Sequence, residues 1–158
     1  MKFQDIYDSA RPYIAAYVIL REGDKVAMVL RKNTGWMDGN YGLPAGKIEY
    51  GEPYMLGAIR EVKEEAGVIC SASDLKIAHT AHRHTEENDD FMDWIDIYFE
   101  AKAWEGEPHN AEPEKSERLD WLDLNHLPDN IVPSQRAALV AISKGEMYGE
   151  FGWPIESE

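Results

Sequence analysis

Apolar residues fall into short runs along the first third of the chain, and these runs predict β-strands. Residues 14–20 form a continuous apolar run, and residues 25–31 form a second apolar segment. The polar, glycine-containing segment 21–24 separates them, which predicts a β-hairpin. Residues 41–46 contain glycine and proline and predict a short strand that ends in a tight turn.

A helical period follows these strands and predicts a helix over residues 53–66. Pro53 suits a first helical turn, where its missing N–H loses no bond, and Gly67 suits the left-handed position just past a helix end. Apolar side chains recur between them at intervals of three and four residues, which predicts a stripe that packs on a sheet. The stripe consists of Leu56, Ile59, Val62 and Ala66.

The second half of the chain predicts further strands. Residues 74–81 and 94–104 show strand-like apolar patterns, and the acidic segment 86–90 lies in the connection between them. Residues 119–122 predict one more short strand. Trp104 and Trp121 flank strand ends and are expected in the core.

A second helix is predicted after Ser134, running to about Lys144, with Gly145 as its stop. The order of strands, helix, strands and helix predicts the α/β (α+β) class, with a mixed β-sheet sandwiched between helices. A chain of 158 residues buries about 70% of its extended surface, which is enough for one core. We therefore expect one domain over residues 1–158.

Charge and cysteine content narrow the choice of partners and compartment. The formal net charge is −14, and the chain lacks the clustered Lys and Arg that neutralise phosphates, so we expect no nucleic-acid polymer as partner. The apolar run 14–20 is too short to span a bilayer, so we expect no membrane partner. Cys70 is the one cysteine, which predicts a reducing cytoplasmic location and a buried strand position for this thiol.

Three glutamates lie together on another face of the predicted helix. Glu61, Glu64 and Glu65 are neighbours at helical spacing, and each like-charge pair costs roughly 0.2–0.5 kcal/mol unless a cation lies between them. Mg²⁺ takes oxygen ligands, and it is commonly shared between a few carboxylates and substrate phosphates. The alternative is a solvated acidic face, in which Arg60 and Lys63 pair locally with the glutamates.

The wider segment 46–68 decides between these interpretations. It reads Gly46, five residues, Glu52, seven residues, Arg60-Glu61-Val62, one residue, Glu64-Glu65, one residue, Gly67-Val68. Ordinary residue frequencies give this pattern by chance on the order of once in 10⁹ start positions. The pattern matches every position of the Nudix box, and the chain therefore resembles the Nudix family, whose MutT-like members are hydrolases.

The resemblance implies roles for the residues that match the box. Glu64 and Glu65 would be metal ligands together with the main-chain carbonyl of Ala45, and Glu61 would be a further ligand or the base that deprotonates the attacking water. Arg60 would orient the carboxylates together with Glu52. The family commonly has glycine at position 45, but a carbonyl ligand uses only the backbone. The implied cofactor is Mg²⁺, with Mn²⁺ as a substitute.

Residues outside the box are candidates to complete the site. Residues 110–115 resemble the loop that supplies another metal-binding carboxylate in nucleotide-hydrolysing members, with Glu112 as first choice and Glu114 as second; the alternative is a solvated loop. Arg31 and Lys32 end the second strand, where a cation would meet a substrate phosphate; the alternative is a pair of exposed charges at a strand end. Aromatic rings are candidates to stack on a base. Those candidates are Trp36, Tyr41 and Trp94, and the substrate-binding set predicted overall is Arg31, Tyr41, Glu52 and Lys115.

Two further groups of residues have open interpretations. His82 and His84 share one face of a strand, and we consider hydrogen bonding to substrate a better hypothesis than a zinc site, because no third ligand is evident. Tyr148, Phe151 and Trp153 fold over the pocket, or dock on the body or on a second subunit. A monomer and a homodimer both stay open.

The function that these residues predict is metal-dependent hydrolysis of a diphosphate bond in a small nucleotide-type substrate. The MutT-like alternative is a nucleoside triphosphate pyrophosphatase, with an oxidised purine nucleotide as one candidate substrate. A second alternative is an ADP-ribose or nucleotide-sugar pyrophosphatase, which the box fits equally well. A third, from another class, is a sensor that binds a nucleotide without turnover, although such sensors are expected to have degenerate boxes. Isomerisation of a prenyl diphosphate lacks the required cysteine and glutamate pair.

Overall fold

A computed structural model describes residues 11–87 and 90–154. Residues 88 and 89 of the predicted acidic connection lie outside the described residues. The described part contains eight strands and two α-helices. They are β1 (Tyr13–Glu22), β2 (Lys25–Arg31), β3 (Tyr41–Gly42), β4 (Ala45–Lys47), α1 (Tyr54–Ala66), β5 (Leu75–Glu87), β6 (Asp90–Ala101), β7 (Ser116–Asp123), α2 (Pro133–Ser143) and β8 (Tyr148–Phe151).

The strands form one mixed sheet in the order β3-β2-β1-β6-β5-β8, with β4 paired to β1 and β7 paired to β2. β1 runs parallel to β6, and β8 runs parallel to β5, whereas the other pairs are antiparallel. β1 changes its second neighbour along its length: Ala15, Ala16 and Tyr17 pair with β4, while Arg21 and Glu22 pair with β2. The sheet therefore forks between β2 and β4.

Alternate residues of β1 supply two cores on opposite faces of the sheet. Ala15, Tyr17 and Ile19 lie in the cluster that contains Ala138 and Leu139 of α2. The intervening β1 residues Ala16, Val18 and Leu20 lie in the cluster that contains three buried residues of α1. Those α1 residues are Ala58, Val62 and Ala66. The predicted sandwich of a mixed sheet between helices is confirmed.

α1 ends as predicted, and three of the four predicted stripe residues, Ile59, Val62 and Ala66, pack on the sheet. Gly67 adopts the left-handed conformation with φ 70° and donates its N–H to the carbonyl of Lys63. The prediction that Leu56 belongs to the buried stripe is wrong, because its side chain is 53% exposed. Gly57 is buried instead, and a Cβ there would lie 2.4 Å from Ile48 Cδ1. The helix approaches the sheet so closely that only small residues fit beside Ile48.

We expect Leu56→Ala to change the free energy of unfolding by no more than about 0.5 kcal/mol, as for other exposed positions. Val62→Ala is the matched substitution on the buried face, and it should cost about 1–2 kcal/mol, at roughly 0.8 kcal/mol per buried methylene. Urea denaturation of both variants checks this. Equal losses for the two would contradict the helix orientation.

Several element bounds differ from the predicted ones. β5 ends at Glu87 and β6 begins at Asp90. Most of the acidic segment therefore pairs within a hairpin. β7 is longer than residues 119–122, and the polar tail adds the unpredicted strand β8. Exposed strands need backbone pairing but no continuous apolar run, so pattern alone underestimates their length.

α2 and the predicted core residues agree with expectation in part. α2 begins at Pro133, with Val132 in the capping position and no side-chain cap, rather than after Ser134. Cys70 is buried as predicted but lies outside the strands. Trp104 and Trp121 are partly buried and pack on the α1-side core. None of the helices in the described part of the chain is sufficiently long and apolar to cross a bilayer.

Candidate active site

A cavity of about 560 Å³ opens where the sheet forks. Its lining comes from β1, β2, β4, β5, β6, β7, α1, α2 and the connecting loops. Glu61 and Glu65 form an acidic wall, and Trp36, Trp94 and Tyr17 contribute aromatic rings to the lining. The cavity thus combines carboxylates with ring surfaces that suit a planar group.

Arg60 holds three glutamates of the acidic segment together. Its Nε and Nη2 atoms donate to the two Glu52 carboxylate oxygens at 2.7 and 3.0 Å. Its Nη1 atom donates to Glu61 at 2.7 Å and to Glu64 at 3.3 Å. The hydrogen bonds from Arg60 also hold the pKa of Glu52 below its ordinary value. This arrangement fits the predicted orienting role of Arg60 and Glu52.

Glu61 lies against the backbone of β4, and Gly46 makes room for it. A Cβ on Gly46 would lie 2.1 Å from the Glu61 carboxyl carbon and 2.1 Å from its Oε1. Burial raises the pKa of Glu61 against the opposing effect of Arg60, and the charges of Glu64 and Glu112 raise it further. The glycine of the box is therefore required sterically for the position of this carboxylate.

Glu65 is partly buried, and a backbone N–H of β4 holds its carboxylate. The Ala45 N–H donates to Glu65 Oε2 at 3.1 Å, so the Ala45 peptide lies directly against the carboxylate. Burial raises the pKa of Glu65 to about 8, and the negative charges of Glu61 and Glu112 act in the same direction. A bound cation would favour the ionised form, because it is the largest local charge in such a site.

Backbone bonds dock the 109–112 loop on the end of α1. His109 N–H donates to the carbonyl of Ala66, and Ala111 N–H donates to the carbonyl of Glu65. Glu112 is thereby close enough to raise the pKa values of Glu61 and Glu65 through its charge. The structure therefore brings the first-choice carboxylate to the acidic wall, and its role as a ligand stays a prediction.

The oxygen donors of this wall fit a hard divalent cation. Glu61 and Glu65 line an open cavity where a hydrated ion can reach them, and every acidic group of the wall is a carboxylate. Within residues 11–87 and 90–154, no three acidic, histidine or cysteine side chains already form a closed ligand set. Arg60 binds Glu61 and Glu64 in that arrangement, so ion binding would require these side chains to reorient.

We expect Gly46→Ala to lower kcat by about 10- to 100-fold, the range seen when partners of metal ligands are disturbed. The added methyl group would displace Glu61, whereas backbone strain is not expected, because Gly46 is not among the positive-φ residues. Steady-state kinetics checks this, with Ala45→Gly as the matched control on the neighbouring residue. Full activity of Gly46→Ala would show that the position of Glu61 is unimportant.

The predicted substrate-binding residues have different positions. Arg31 and Lys115 line the cavity, as do Trp36 and Trp94. Arg31 uses two donors on its own loop, with Nε bonded to the Trp36 carbonyl and Nη2 to Thr34. Lys115 pairs with Glu112 at 3.0 Å. Their contacts with substrate stay predictions.

Tyr41 and Glu52 are placed elsewhere. Tyr41 is 6% exposed and belongs to the α2-side core, and its hydroxyl donates to Asp120 and accepts from Arg118. The structure therefore contradicts the prediction that Tyr41 stacks on a base, because the Tyr41 ring lies outside the cavity lining. Glu52 is likewise absent from the lining and binds Arg60, which leaves it an orienting role instead of substrate contact.

The two histidines and the terminal aromatic residues lie away from the cavity. His82 and His84 alternate with Arg83, which lines the cavity, so their side chains face the other side of β5. Trp153 packs on both rings at 4.6 and 4.7 Å and donates its indole N–H to the His82 carbonyl. The tail therefore docks on the body of the protein, and neither histidine belongs to the cavity lining.

Sequence reasoning missed the cavity residues Gln135 and Arg83, and it missed Asp96, the buried partner of Arg83. Gln135 of α2 is 2% exposed, and its Oε1 accepts the Leu43 N–H at 2.7 Å. Arg83 and Asp96 form a buried ion pair between β5 and β6. The available signal was weak: Asp96 interrupts the apolar run of β6 and Gln135 lies on the apolar face of α2, whereas Arg83 lies in the mostly polar strand β5.

The fold and site together define a mixed α/β protein whose acidic helix faces a ligand-sized cavity. Residues 11–141 match the family model described as a NUDIX domain. Because the match covers more than half of the chain, the chain belongs to the Nudix family, whose hydrolases act on pyrophosphate bonds.

Curated relatives and a solved structure agree with this family. An ADP-ribose pyrophosphatase of Methanocaldococcus jannaschii is 29% identical over 117 residues, which are 74% of this chain and 65% of that protein. An 8-oxo-dGTP diphosphatase of Escherichia coli is 24% identical over 131 residues, which are 83% of this chain and 95% of that protein. A MutT NUDIX hydrolase from Burkholderia pseudomallei superposes with a TM-score of 0.73 at 25% identity, covering 83% of this chain and 98% of that one.

Proposed function

We propose that the protein is a Mg²⁺-dependent pyrophosphatase of nucleoside triphosphates. The observation that carries the proposal is the placement of Glu61 and Glu65 in the same cavity as the rings of Trp36 and Trp94. The carboxylates suit the metal-bound phosphates, and the rings suit a base. The E. coli relative, an 8-oxo-dGTP diphosphatase, supports this substrate class, with an oxidised purine nucleotide as one candidate.

Each acidic residue has a proposed role in the reaction. Glu64, Glu65 and Glu112, with the carbonyl of Ala45, would hold the cation, while Arg60 orients the carboxylates before it binds. A bound divalent cation neutralises diphosphate oxygens and lowers the pKa of a coordinated water. Glu61 would accept the proton of the attacking water, and a positioned base contributes about 10²- to 10⁴-fold.

Gln135 presents a hydrogen-bond donor to the cavity. Since the Leu43 N–H donates to Oε1, the side-chain amide is oriented with its NH₂ group as the free end. That NH₂ group has no hydrogen-bond partner among the described residues, and Gln135 lines the cavity. A ring oxygen or nitrogen of the base would satisfy it, which supports a nucleotide over a diphosphate without a base.

The second candidate is an ADP-ribose pyrophosphatase, and the M. jannaschii relative favours it. Products separate the two candidates. Incubation with Mg²⁺ should release pyrophosphate and a nucleoside monophosphate from a triphosphate, whereas AMP and ribose 5-phosphate from ADP-ribose would favour the second candidate. Nucleotide binding without turnover at any divalent metal would instead support a sensor.

Three broader predictions accompany the proposed activity. We propose a single domain over residues 1–158 and a cytoplasmic location, the latter supported by the lone cysteine Cys70. The partner would be a small nucleotide-type molecule, with neither a nucleic-acid polymer nor a membrane. Either a monomer or a homodimer is compatible with the site, since all its proposed residues come from one chain.

A further inference from the structure

The cavity-lining residue Arg83 belongs to a buried ion pair that the hydrolysis chemistry does not use. Arg83 is 5% exposed and Asp96 is fully buried. Arg83 Nε donates to Asp96 Oδ2 at 2.6 Å, and Nη2 donates to Oδ1 at 3.0 Å. The Tyr17 hydroxyl also donates to Oδ1 at 3.3 Å. Burying two charges is costly, so a buried pair is weak evidence for stability and calls for another explanation.

The pairing leaves one edge of the guanidinium free. A guanidinium has five N–H donors in a fixed planar fork, and Asp96 occupies the side formed by Nε and Nη2. In the described part of the chain Nη1 donates to no carboxylate or carbonyl, and the Tyr17 hydroxyl is the one further side chain that interacts with the guanidinium by hydrogen bonding. Arg83 lines the cavity, so the Nη1 end of the fork is open to a ligand there.

Aromatic contacts fix the plane of that fork. The Arg83 Cζ atom lies 4.9 Å from the Trp94 ring centre and 6.0 Å from the Trp36 ring centre, within cation–π range. Asp96 holds the opposite side by two hydrogen bonds. The guanidinium is therefore preorganised, and a ligand that binds its free end would meet two nearly parallel donors of fixed direction.

We propose that Arg83 determines base specificity by donating two hydrogen bonds to adjacent acceptor atoms on one edge of the base; this rests on the proposed hydrolysis of nucleoside triphosphates. Guanine presents such a pair, O6 and N7, and paired contact of arginine with these atoms is the commonest specific base contact. Adenine presents an amino donor beside N7, which would face an N–H of Arg83. The NH₂ group of Gln135 adds a third donor to the same cavity, and it suits an acceptor-rich ring as well.

The same chemistry discriminates between guanine and its oxidised form. An 8-oxo-guanine base carries a hydrogen on N7, so N7 no longer accepts a hydrogen bond, and only O6 remains of the adjacent pair. Within the proposed class of nucleoside triphosphates, the inference therefore selects unmodified guanine nucleotides and excludes the oxidised purine nucleotide as the preferred substrate. A good paired contact discriminates by about 5- to 150-fold.

The test measures kcat/KM of the native protein with Mg²⁺ for dGTP, 7-deaza-dGTP, 8-oxo-dGTP and dATP. We expect dGTP to exceed each of the other three by at least about 5-fold. The 7-deaza analogue is the sharpest comparison, because it lacks only the N7 acceptor. Equal values for dGTP and 7-deaza-dGTP, or a preference for 8-oxo-dGTP or dATP, would overturn the inference. The proposed function fails separately, if none of the triphosphates is hydrolysed.

Variants assign the preference to Arg83. Arg83→Leu combined with Asp96→Leu removes both charges, and Arg83→Lys keeps the charge but removes the fork. Both should reduce the dGTP to 7-deaza-dGTP ratio to near one, mainly through a higher KM for dGTP. Arg118→Lys is the matched control, since Arg118 also pairs with an aspartate but lies outside the cavity lining. If folded Arg83 variants kept the native dGTP to 7-deaza-dGTP ratio, Arg83 would not determine base specificity. The comparison of nucleotide analogues uses only the native protein, so it tests the inference even if the variants fail to fold.

Discussion

Glu65→Gln is expected to lower kcat by more than about 100-fold, because even groups that only support metal ligands typically cost 10- to 100-fold when changed. Glutamine has nearly the same shape and can accept the same N–H from Ala45. It carries no charge, so it cannot complete a carboxylate site for a divalent cation. Activity should therefore fall without a change of fold.

Matched measurements separate this effect from a loss of structure. Glu22→Gln is the control, because Glu22 is an exposed glutamate that lies outside the cavity lining. It should retain native kcat with Mg²⁺, and thermal melts should show both variants folded. If Glu65→Gln kept more than about a tenth of native kcat, Glu65 would not be a metal ligand. Such a result would mean that the activation free energy rose by less than about 1.4 kcal/mol.

Arg83→Leu is expected to destabilise the protein by about 3–5 kcal/mol, the cost of leaving a buried charge without its partner. Asp96 is fully buried and accepts two bonds from Arg83, so its carboxylate would keep only the Tyr17 hydroxyl. Replacing Asp96 by leucine in the same chain should restore most of this loss, because a pair of apolar residues leaves no charge to desolvate.

Urea denaturation of the two variants and the native chain checks this expectation. Similar m-values would show that the same surface is exposed on unfolding, so that differences in midpoint report stability. A single Arg83→Leu variant within about 1 kcal/mol of native would mean that the pair is solvated and contributes as little as a surface ion pair does. It would also weaken the case for a preorganised fork in the cavity.

Local sequence patterns predicted the parts of the fold that local chemistry determines. The end of α1 at Gly67 follows from the left-handed conformation that glycine adopts there. The exposure of Leu56 could not be predicted in this way. It depends on how closely α1 approaches Ile48, and that distance is set by packing between the helix and the sheet. β8 depends on an open edge of β5, and residues 148–151 carry no apolar run that would reveal it.

The candidate site divides in the same way. Glu61, Glu64 and Glu65 share one helix, so their spacing alone predicted their proximity, and Arg60 bonds to two of them as expected. Arg83 and Asp96 are neighbours only because β5 and β6 pair, and Gln135 reaches the cavity only because α2 packs on the far face of the sheet from α1. Such contacts need the register of the strands, which charge and hydropathy patterns do not contain.

Tyr41 shows the converse error, in which a residue was assigned to the site from its type. An aromatic residue beside the box was a reasonable stacking partner, but aromatic rings more often pack in cores. Its hydroxyl is satisfied by Asp120 and Arg118 at the edge of the α2-side core. Trp36 and Trp94 hold cavity positions because their strand and loop neighbours place them at the fork.

The most direct test of the central claim is a Mg²⁺ titration of product release from nucleoside triphosphates and ADP-ribose, with the native chain and Glu64→Gln in parallel. Glu64 is half exposed, so its replacement leaves the fold intact. Native activity that requires Mg²⁺ or Mn²⁺, disappears with chelator and is largely lost in Glu64→Gln is the predicted result. Native activity without any divalent cation, equal activity of the two chains, or no hydrolysis by the native chain with either metal would contradict metal-dependent hydrolysis at this site.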